Sequence, residues 1–245
     1  MTIESEDDLE GLRAIGRIVR AVFDAMRAAA RPGMTTGELD AVGASVLAAH
    51  DARSAPILMY RFPGSTCISV NEEAAHGIPG ARVLKPGDMI NIDVSAEQGG
   101  YIADMGESFV LPPIEPARGR ICRAVKRAVI EATARIRAGR SLNVIGATVS
   151  RAAEKGGYRI VENLASHGVG RSLHEEPSYV PMHNPRERRT LHDGQVLTIE
   201  PFFTTGEPFV TERDDGWTLA VAPGALVAQF EQTVIVTNGR PVVVT

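Results

Sequence analysis

The chain carries one ten-residue phrase twice. Leu84-Lys85-Pro86-Gly87-Asp88-Met89-Ile90-Asn91-Ile92-Asp93 reads L-x-x-G-x-x-[IL]-x-I-acid, and Leu191-His192-Asp193-Gly194-Gln195-Val196-Leu197-Thr198-Ile199-Glu200 reads the same. Ala74-Ala75-His76-Gly77-Ile78 precedes the first copy, and Ala165-Ser166-His167-Gly168-Val169 the second. Internal similarity in a fixed order constrains architecture more than any local propensity. Each half presents a His-Gly, a turn and a short apolar strand that ends in a carboxylate. Two such halves, approximately 7–112 and 113–245, imply one α/β domain built from two pseudo-symmetric α+β units.

The helices follow the same plan twice. Leu12, Ile15, Ile18, Val19, Val22 and Phe23 form one stripe of a helix over about 9–30, stopped by Pro32-Gly33. Thr35-x-x-Glu38 has the form of a capping box opening a second helix to about His50. In the second half, Pro116 starts a helix to about Ala138 with Ile121, Val125, Val129, Ile130 and Ile136 on its apolar side. Ser141 then caps another to about Lys155, ended by Gly156-Gly157. Strands are predicted at about 66–71, 89–95 and 101–111, then 159–164, 195–203, 209–213, 217–221 and 227–236, with turns at Gln98-Gly99-Gly100 and Thr237-Asn238-Gly239. The strand ends should face each other, with helices outside.

Five residues on or beside these strands have metal-ligand character: Asp93, Asp104, His167, Glu200 and Glu231. An ionised carboxylate inside an apolar run needs a counter-charge, and few Lys or Arg flank these strands. A bound cation fills that need. Four carboxylates and one His suit a pair of hard or borderline divalent ions with two acids bridging. Such a pair, about 3.5–4 Å apart, supplies a nucleophilic water and polarises a carbonyl. His76 and His174 lie in loops beside Gly and acidic residues, where imidazoles can donate to an oxyanion or a substrate carbonyl. His50, His183 and His192 read as structural.

Charge narrows the partners. A net charge of −4 and a pI near 5.9 argue against specific DNA binding or an anionic membrane surface. The basic run Arg186-Glu187-Arg188-Arg189 reads as a solvated loop. Two cysteines, Cys67 and Cys122, make no disulfide framework and fit a cytoplasmic location. The acidic first residues do not read as a signal peptide, and no stretch approaches the ~20 apolar residues of a membrane span.

In order along the chain, Ser69-Val70-Asn71-Glu72-Glu73-Ala74-Ala75-His76-Gly77-Ile78-Pro79, Asn91-Ile92-Asp93-Val94, Gly100-Tyr101-Ile102-Ala103-Asp104, His167-Gly168-Val169-Gly170-Arg171-Ser172-Leu173-His174-Glu175-Glu176-Pro177, Thr198-Ile199-Glu200-Pro201 and Gln229-Phe230-Glu231 resemble the motifs of the type I methionine aminopeptidases, the pita-bread metallopeptidases. The resemblance spans nearly the whole chain. It implies a metal-dependent aminopeptidase that removes N-terminal methionine from peptides and nascent chains with a small second residue, in the cytoplasm and in transient contact with the ribosome. It implies two divalent ions (Co, Mn, Fe or Zn). Asp93 would chelate one ion, Asp104 and Glu231 would bridge, and His167 and Glu200 would complete the other. Glu200 would handle the proton of the attacking water. His76 and His174 would contact the scissile peptide. Tyr60, Phe62, Cys67, Leu173 and Trp217 would line the methionine pocket.

The sequence departs from the family pattern at several positions. Gln232 stands where His is common, Met105 where Thr is, Tyr60 where His is frequent and Pro56 where Cys is. Phe202-Phe203 replaces a Met segment, and Pro181-Met182-His183-Asn184-Pro185 replaces a Gly-containing loop. Met105 in particular suggests that a hydroxyl beside the metals is lost. Two rival readings compete with this one. Tyr101-Ile102-Ala103-Asp104 is similar to the Xaa-Pro aminopeptidases of the same fold, against which His76-Gly77-Ile78-Pro79 and the chain's length of 245 residues argue. The other rival is a non-catalytic binding module, a class that usually sheds the ligands kept here.

Overall fold

The computed structural model describes residues 1–180, 184 and 186–245. The elements of the first half are α1 (Glu6–Ala29), α2 (Thr36–Ala49), β1 (Arg53–Ser54), α3 (Ala55–Tyr60), β2 (Cys67–Val70), β3 (Glu73–Ala75), β4 (Met89–Gln98) and β5 (Tyr101–Val110). Those of the second are α4 (Pro116–Arg135), α5 (Asn143–Gly156), β6 (Arg159–Ile160), β7 (Ser166–Gly168), β8 (Glu175–Val180), β9 (Val196–Ile199), β10 (Phe202–Thr204), β11 (Thr211–Glu212), β12 (Leu219–Ala220), β13 (Val227–Gln229), β14 (Gln232–Ile235) and β15 (Val242–Val243).

Local chemistry sets the helix starts. Ser5 caps α1 through its hydroxyl to the Asp8 N–H. At α2 the capping box forms in full, with Thr35 N–H donating to Glu38 Oε2 at 2.8 Å and Glu38 N–H to Thr35 Oγ1 at 3.1 Å. Every residue of the α1 stripe is buried, packed with β4 and β5 in one core. The stripe of α4 packs in a second core with α5, β9, β13 and β14, apart from Ile130, which is 52% exposed. A 100° step from buried Val129 carries Ile130 past the apolar face. α5 begins at Asn143 without the expected Ser141 cap; Leu142 stands at the N-cap and Ser141 Oγ reaches only the Asn143 N–H, 3.2 Å away.

The two helix hairpins are tied to the repeated phrases by matching backbone hydrogen bonds. Gly33 N–H donates to the Leu84 carbonyl and Leu84 N–H to that of Met34, each at 2.8 Å. Gly139 N–H donates to Leu191 and Leu191 N–H to Arg140, again each at 2.8 Å. Thr35 bridges Val83 as Ser141 bridges Thr190. Arg189 belongs to this tie rather than to a free loop: its carbonyl accepts from Leu142 N–H, and its guanidinium pairs with Glu187 and the Tyr179 carbonyl. His50 and His192 lie in helix-end and turn positions. Pro181, Met182, His183 and Pro185 lie outside the described residues.

Among the described residues the strands form four sheets, of which two carry the centre. In one, β4 pairs with β1, β2 and β5. The hairpin β4–β5 turns at Gly99-Gly100, whose φ angles of 61° and 83° glycine adopts without the steric cost of a Cβ. In the other, the order is β15-β14-β9-β7-β8. Two predicted strands are each split. The run 195–203 breaks at Glu200-Pro201 and 227–236 breaks at Phe230-Glu231, because the acid at each break turns toward the other sheet and leaves the ladder.

Candidate metal centre

Strand alternation builds one wall. Along β4 and β5 the register pairs Ser95 with Asp104 and Asp93 with Gly106, and β2 pairs Cys67 with Asp93. Side chains opposite each other point to the same face, so Cys67, Asp93, Ser95 and Asp104 share a surface. Gly106 completes it by leaving a gap: a Cβ there would stand 2.5 Å from Gln229 Oε1 and 3.0 Å from Glu231 Oε2. Through that gap Glu231 enters from the other sheet, with its N–H donating to the Gly106 carbonyl at 2.7 Å.

The second half supplies the opposite wall. His167 and Glu200 leave the ends of neighbouring strands, and His167 Nε2 lies 3.1 Å from Glu200 Oε1. Single ligand atoms of Asp104, His167 and Glu231, all buried, lie within 4.8 Å of one another. Asp93 touches Asp104, and Glu200 touches His167, so the five predicted ligands form one contiguous cluster. His174 stacks beside His167 with ring centroids 4.0 Å apart. All of these except Glu231 open onto a cavity of about 380 Å³, which His76, Tyr60, Phe62, Cys67, Leu173 and Trp217 also line. Phe62 and Trp217 meet edge to face at 5.2 Å. Pro56 and Ser95 share the lining. Ser95 was absent from the sequence-based site, and only the β4–β5 register reveals it.

The hydrogen bonds around the cluster indicate that it can take cations. His167 Nδ1 lies 2.9 Å from the Gly168 carbonyl, which can only accept. Nδ1 therefore carries the proton, and the Nε2 lone pair is left facing Glu200. Two electron-rich atoms at 3.1 Å require a proton or a metal between them. Glu231 Oε2 accepts from Gln229 Nε2 at 3.0 Å, while its Oε1, buried, has no hydrogen-bond partner among the described residues. A buried carboxylate oxygen without a hydrogen-bond partner is suited to hold a cation, which would offset the cost of its burial. Four carboxylates carry four negative charges, which two divalent ions neutralise. The donor set of one imidazole and four carboxylates fits Mn, Fe, Co or Zn.

Two departures from the family pattern resolve at this point. Met105 follows Asp104 on the strand, so it points to the opposite face and packs in the first core. The hydroxyl beside the cluster is that of Ser95, opposite Asp104 in the register, whose Oγ donates to Asp104 Oδ1 at 2.8 Å. Gln232 likewise turns away from the centre, its Nε2 donating to Thr133 Oγ1 on α4 at 2.7 Å.

Crowded like charges shift the acids. Burial, then the neighbouring carboxylates, push Asp93 and Glu231 well up. Burial likewise pushes Asp104 up, to about 6. Burial would lower His167, but the Glu200 and Asp104 carboxylates override it and raise it to about 9. Burial, with the nearby imidazoles, lowers His174 to about 4. Burial also lowers His76, so between about pH 7.5 and 9 His76 and His174 are neutral in both the folded and the unfolded state. In that window the folded, metal-free protein binds more protons than the unfolded chain, through His167 and the raised carboxyls. Its stability must then fall as pH rises. Metal uptake, which needs those protons gone, should stabilise most at the alkaline end. Thermal unfolding of chelated and Mn-loaded protein at about pH 7.5 to 9 tests this, and a chelated Tm that climbs with pH would contradict it.

Comparison with known proteins points the same way as the geometry. The model of metallopeptidase family M24 matches residues 10–238. The chain is 41% identical to methionine aminopeptidase 2 of Bacillus subtilis (strain 168), over 100% of this chain and 99% of that protein. It superposes on the crystal structure of methionine aminopeptidase from Rickettsia prowazekii with a TM-score of 0.95 at 31% identity, covering 100% of both chains. On the methionine aminopeptidase of Thermotoga maritima it gives a TM-score of 0.95 at 27% identity, covering 100% and 99%.

Proposed function

The chain belongs to metallopeptidase family M24, and from that premise we propose that it is a methionine aminopeptidase, a metal-dependent hydrolase that removes the N-terminal methionine of peptides and proteins. One observation carries the reading. Five ligand-type side chains meet at one end of a cavity, two imidazoles stand beside them, and an aromatic and sulfur-bearing lobe completes the lining.

We assign roles from that arrangement. Asp93, Asp104, His167, Glu200 and Glu231 would hold two divalent ions, with Asp104 and Glu231 shared between them. Bound there, the ions would acidify a water and polarise the scissile carbonyl. Glu200 is held by Thr198 Oγ1 at 2.7 Å and by His167; it takes the proton of the attacking water and delivers it to the departing amine. His174 and His76 donate to the carbonyl oxygen as charge develops on it. His76 is fixed for that task in a left-handed conformation, φ 55°, an arrangement that costs of order 1–3 kcal/mol and is kept only where the surroundings impose it. Here Gly77 does so, its carbonyl accepting from Ile68 N–H at 2.9 Å and its N–H donating to Ser69 Oγ at 3.1 Å.

Substrate choice follows from the lining. Phe62, Trp217, Tyr60 and Cys67 offer a surface suited to a flexible thioether, and His76 and His174 crowd the space beyond the scissile bond. Peptides beginning Met-Ala, Met-Gly or Met-Ser should be cleaved well, and Met-Lys or Met-Phe poorly. Apolar fit discriminates a methylene by only about 1–3 kcal/mol, so norleucine should partly replace methionine, while N-terminal Ala, Lys or Asp should fail. Measuring kcat/KM across this panel with each metal decides the matter. A preference for Xaa-Pro over Met-Ala would instead select the rival chemistry, and metal-free protein on elemental analysis would select a binding module.

We further place the work of this enzyme in the cytoplasm, on peptides and on nascent chains met transiently at the ribosome. The free thiols of Cys67 and Cys122 agree with a reducing compartment. Among the described residues no helix is long and apolar enough to cross a membrane.

A further inference from the structure

Tyr60 has two distinct environments. Its ring lines the cavity, and its hydroxyl oxygen lies 2.7 Å from Nδ1 of His174, across 114 residues of chain. The two rings are tilted by 59° with centroids 5.6 Å apart, so they are not stacked. Among the described residues neither the Tyr60 hydroxyl nor the His174 ring makes another side-chain hydrogen bond. Tyr60 is the last residue of α3, whose start is set by Ser54 and Pro56 and whose end is turned by Arg61 at φ 59°. Arg61 N–H returns to the Ile57 carbonyl at 3.0 Å and Phe62 N–H to that of Pro56 at 3.2 Å. This closed turn holds the phenol in place over His174.

The protonation pattern follows from the donor and acceptor inventory. A phenol near neutral pH carries its proton, and a neutral imidazole has one N–H and one lone pair. Among the described protein groups the phenol proton has one side-chain acceptor in reach, the Nδ1 lone pair. When it donates there, the imidazole proton must sit on Nε2. The opposite arrangement would leave the phenol proton without a protein partner. His167 next to it is set the other way, with its proton on Nδ1 toward the Gly168 carbonyl. With His167 in its neutral form, the two adjacent imidazoles would offer opposite faces at Nε2: a lone pair from His167 and an N–H from His174.

We propose that Tyr60 is a positioning residue for His174, whose phenol donates to Nδ1 and thereby fixes the Nε2–H tautomer that donates to the substrate carbonyl. This rests on the reading of His174 as that donor. It gives Tyr60 a role distinct from lining the methionine pocket, since a lining residue would act through its ring and not its hydroxyl. Tyr60→Phe keeps the ring and removes only the donor.

The test has a spectroscopic and a kinetic arm. In protein labelled with ¹⁵N-histidine, metal-free and Zn-loaded, the His174 ring, assigned by its loss in His174→Ala, should show the Nε2–H pattern. In Tyr60→Phe it should become a mixture of tautomers. On a Met-Ala-Ser peptide Tyr60→Phe should lower kcat by roughly tenfold to hundredfold, the scale seen when a metal-bound imidazole loses its orienting partner, with KM within about twofold and metal content unchanged. In a His174→Ala background the same substitution should cost nothing further, because the pair acts as a unit. An Nδ1–H pattern for His174 in the unsubstituted protein, an unchanged spectrum in Tyr60→Phe, or kcat losses that multiply in the double variant would each overturn the proposal. Full turnover by His174→Ala would instead remove the donor role on which it rests, while the spectra would still judge the Tyr60–His174 pair.

Discussion

Replacing Asp104 or Glu231 with Ala is expected to empty the centre of both ions at once. Each carboxylate reaches the point where the two walls meet, and in the proposed centre each would be shared between two ions. Glu231 brings the orphaned Oε1, and Asp104 is clustered with both His167 and Glu231. Elemental analysis of either variant should find little metal after mild chelation. Turnover should fall by more than the roughly 10²–10³-fold that loss of one charge-stabilising donor costs. The folded protein should survive, because removing an acid from a crowd of like charges relieves repulsion in the metal-free state. Full metal content and full activity in either variant would mean that the shared-ligand assignment is wrong.

The second large effect is expected with metal content intact. His174→Ala and His76→Ala each remove a donor that lies beside the ligand cluster but outside it. Loss of such a donor typically costs on the order of 10²–10³ in kcat. Metal content and Tm of the loaded protein should match those of the parent. KM should move little, since the lost interaction strengthens only as charge develops on the carbonyl oxygen. Release of metal from either variant would make that histidine a ligand and end this division of labour.

What the sequence made legible is what sequence carries locally. The helix stripes, the Thr35–Glu38 capping box, the Gly99-Gly100 turn and the repeated phrase each depend on residues close together in the chain, and each is found in the structure. What it hid depends on partners far away. β7 has only three residues and is held between β9 on one side and β8 on the other rather than by its own composition. α3 is a six-residue turn with Ile57, Leu58, Met59 and Tyr60 all exposed, so it has no apolar periodicity to detect. Ser95 and Gly106 act through their register with Asp104 and Asp93, and no local pattern marks them. Met105 shows the same limit: its place next to Asp104 in the sequence suggests nearness to the metals, whereas strand alternation sends its side chain into the first core.

The ties at Leu84 and Leu191 set the phase of the strands that begin just beyond them. From Gly87 to Asp93 and from Gly194 to Glu200 the chain advances six residues, and each acid arrives on the face it needs. Because strand side chains alternate with a period of two, these intervals behave like a count that must keep its parity. Most substitutions within them would change only how well the strand packs. A single inserted or deleted residue would leave a credible hydrophobic strand with its carboxylate aimed at the helices. Within these stretches, length variation should be far less tolerated than change of residue type, and tolerated changes in length should come in pairs.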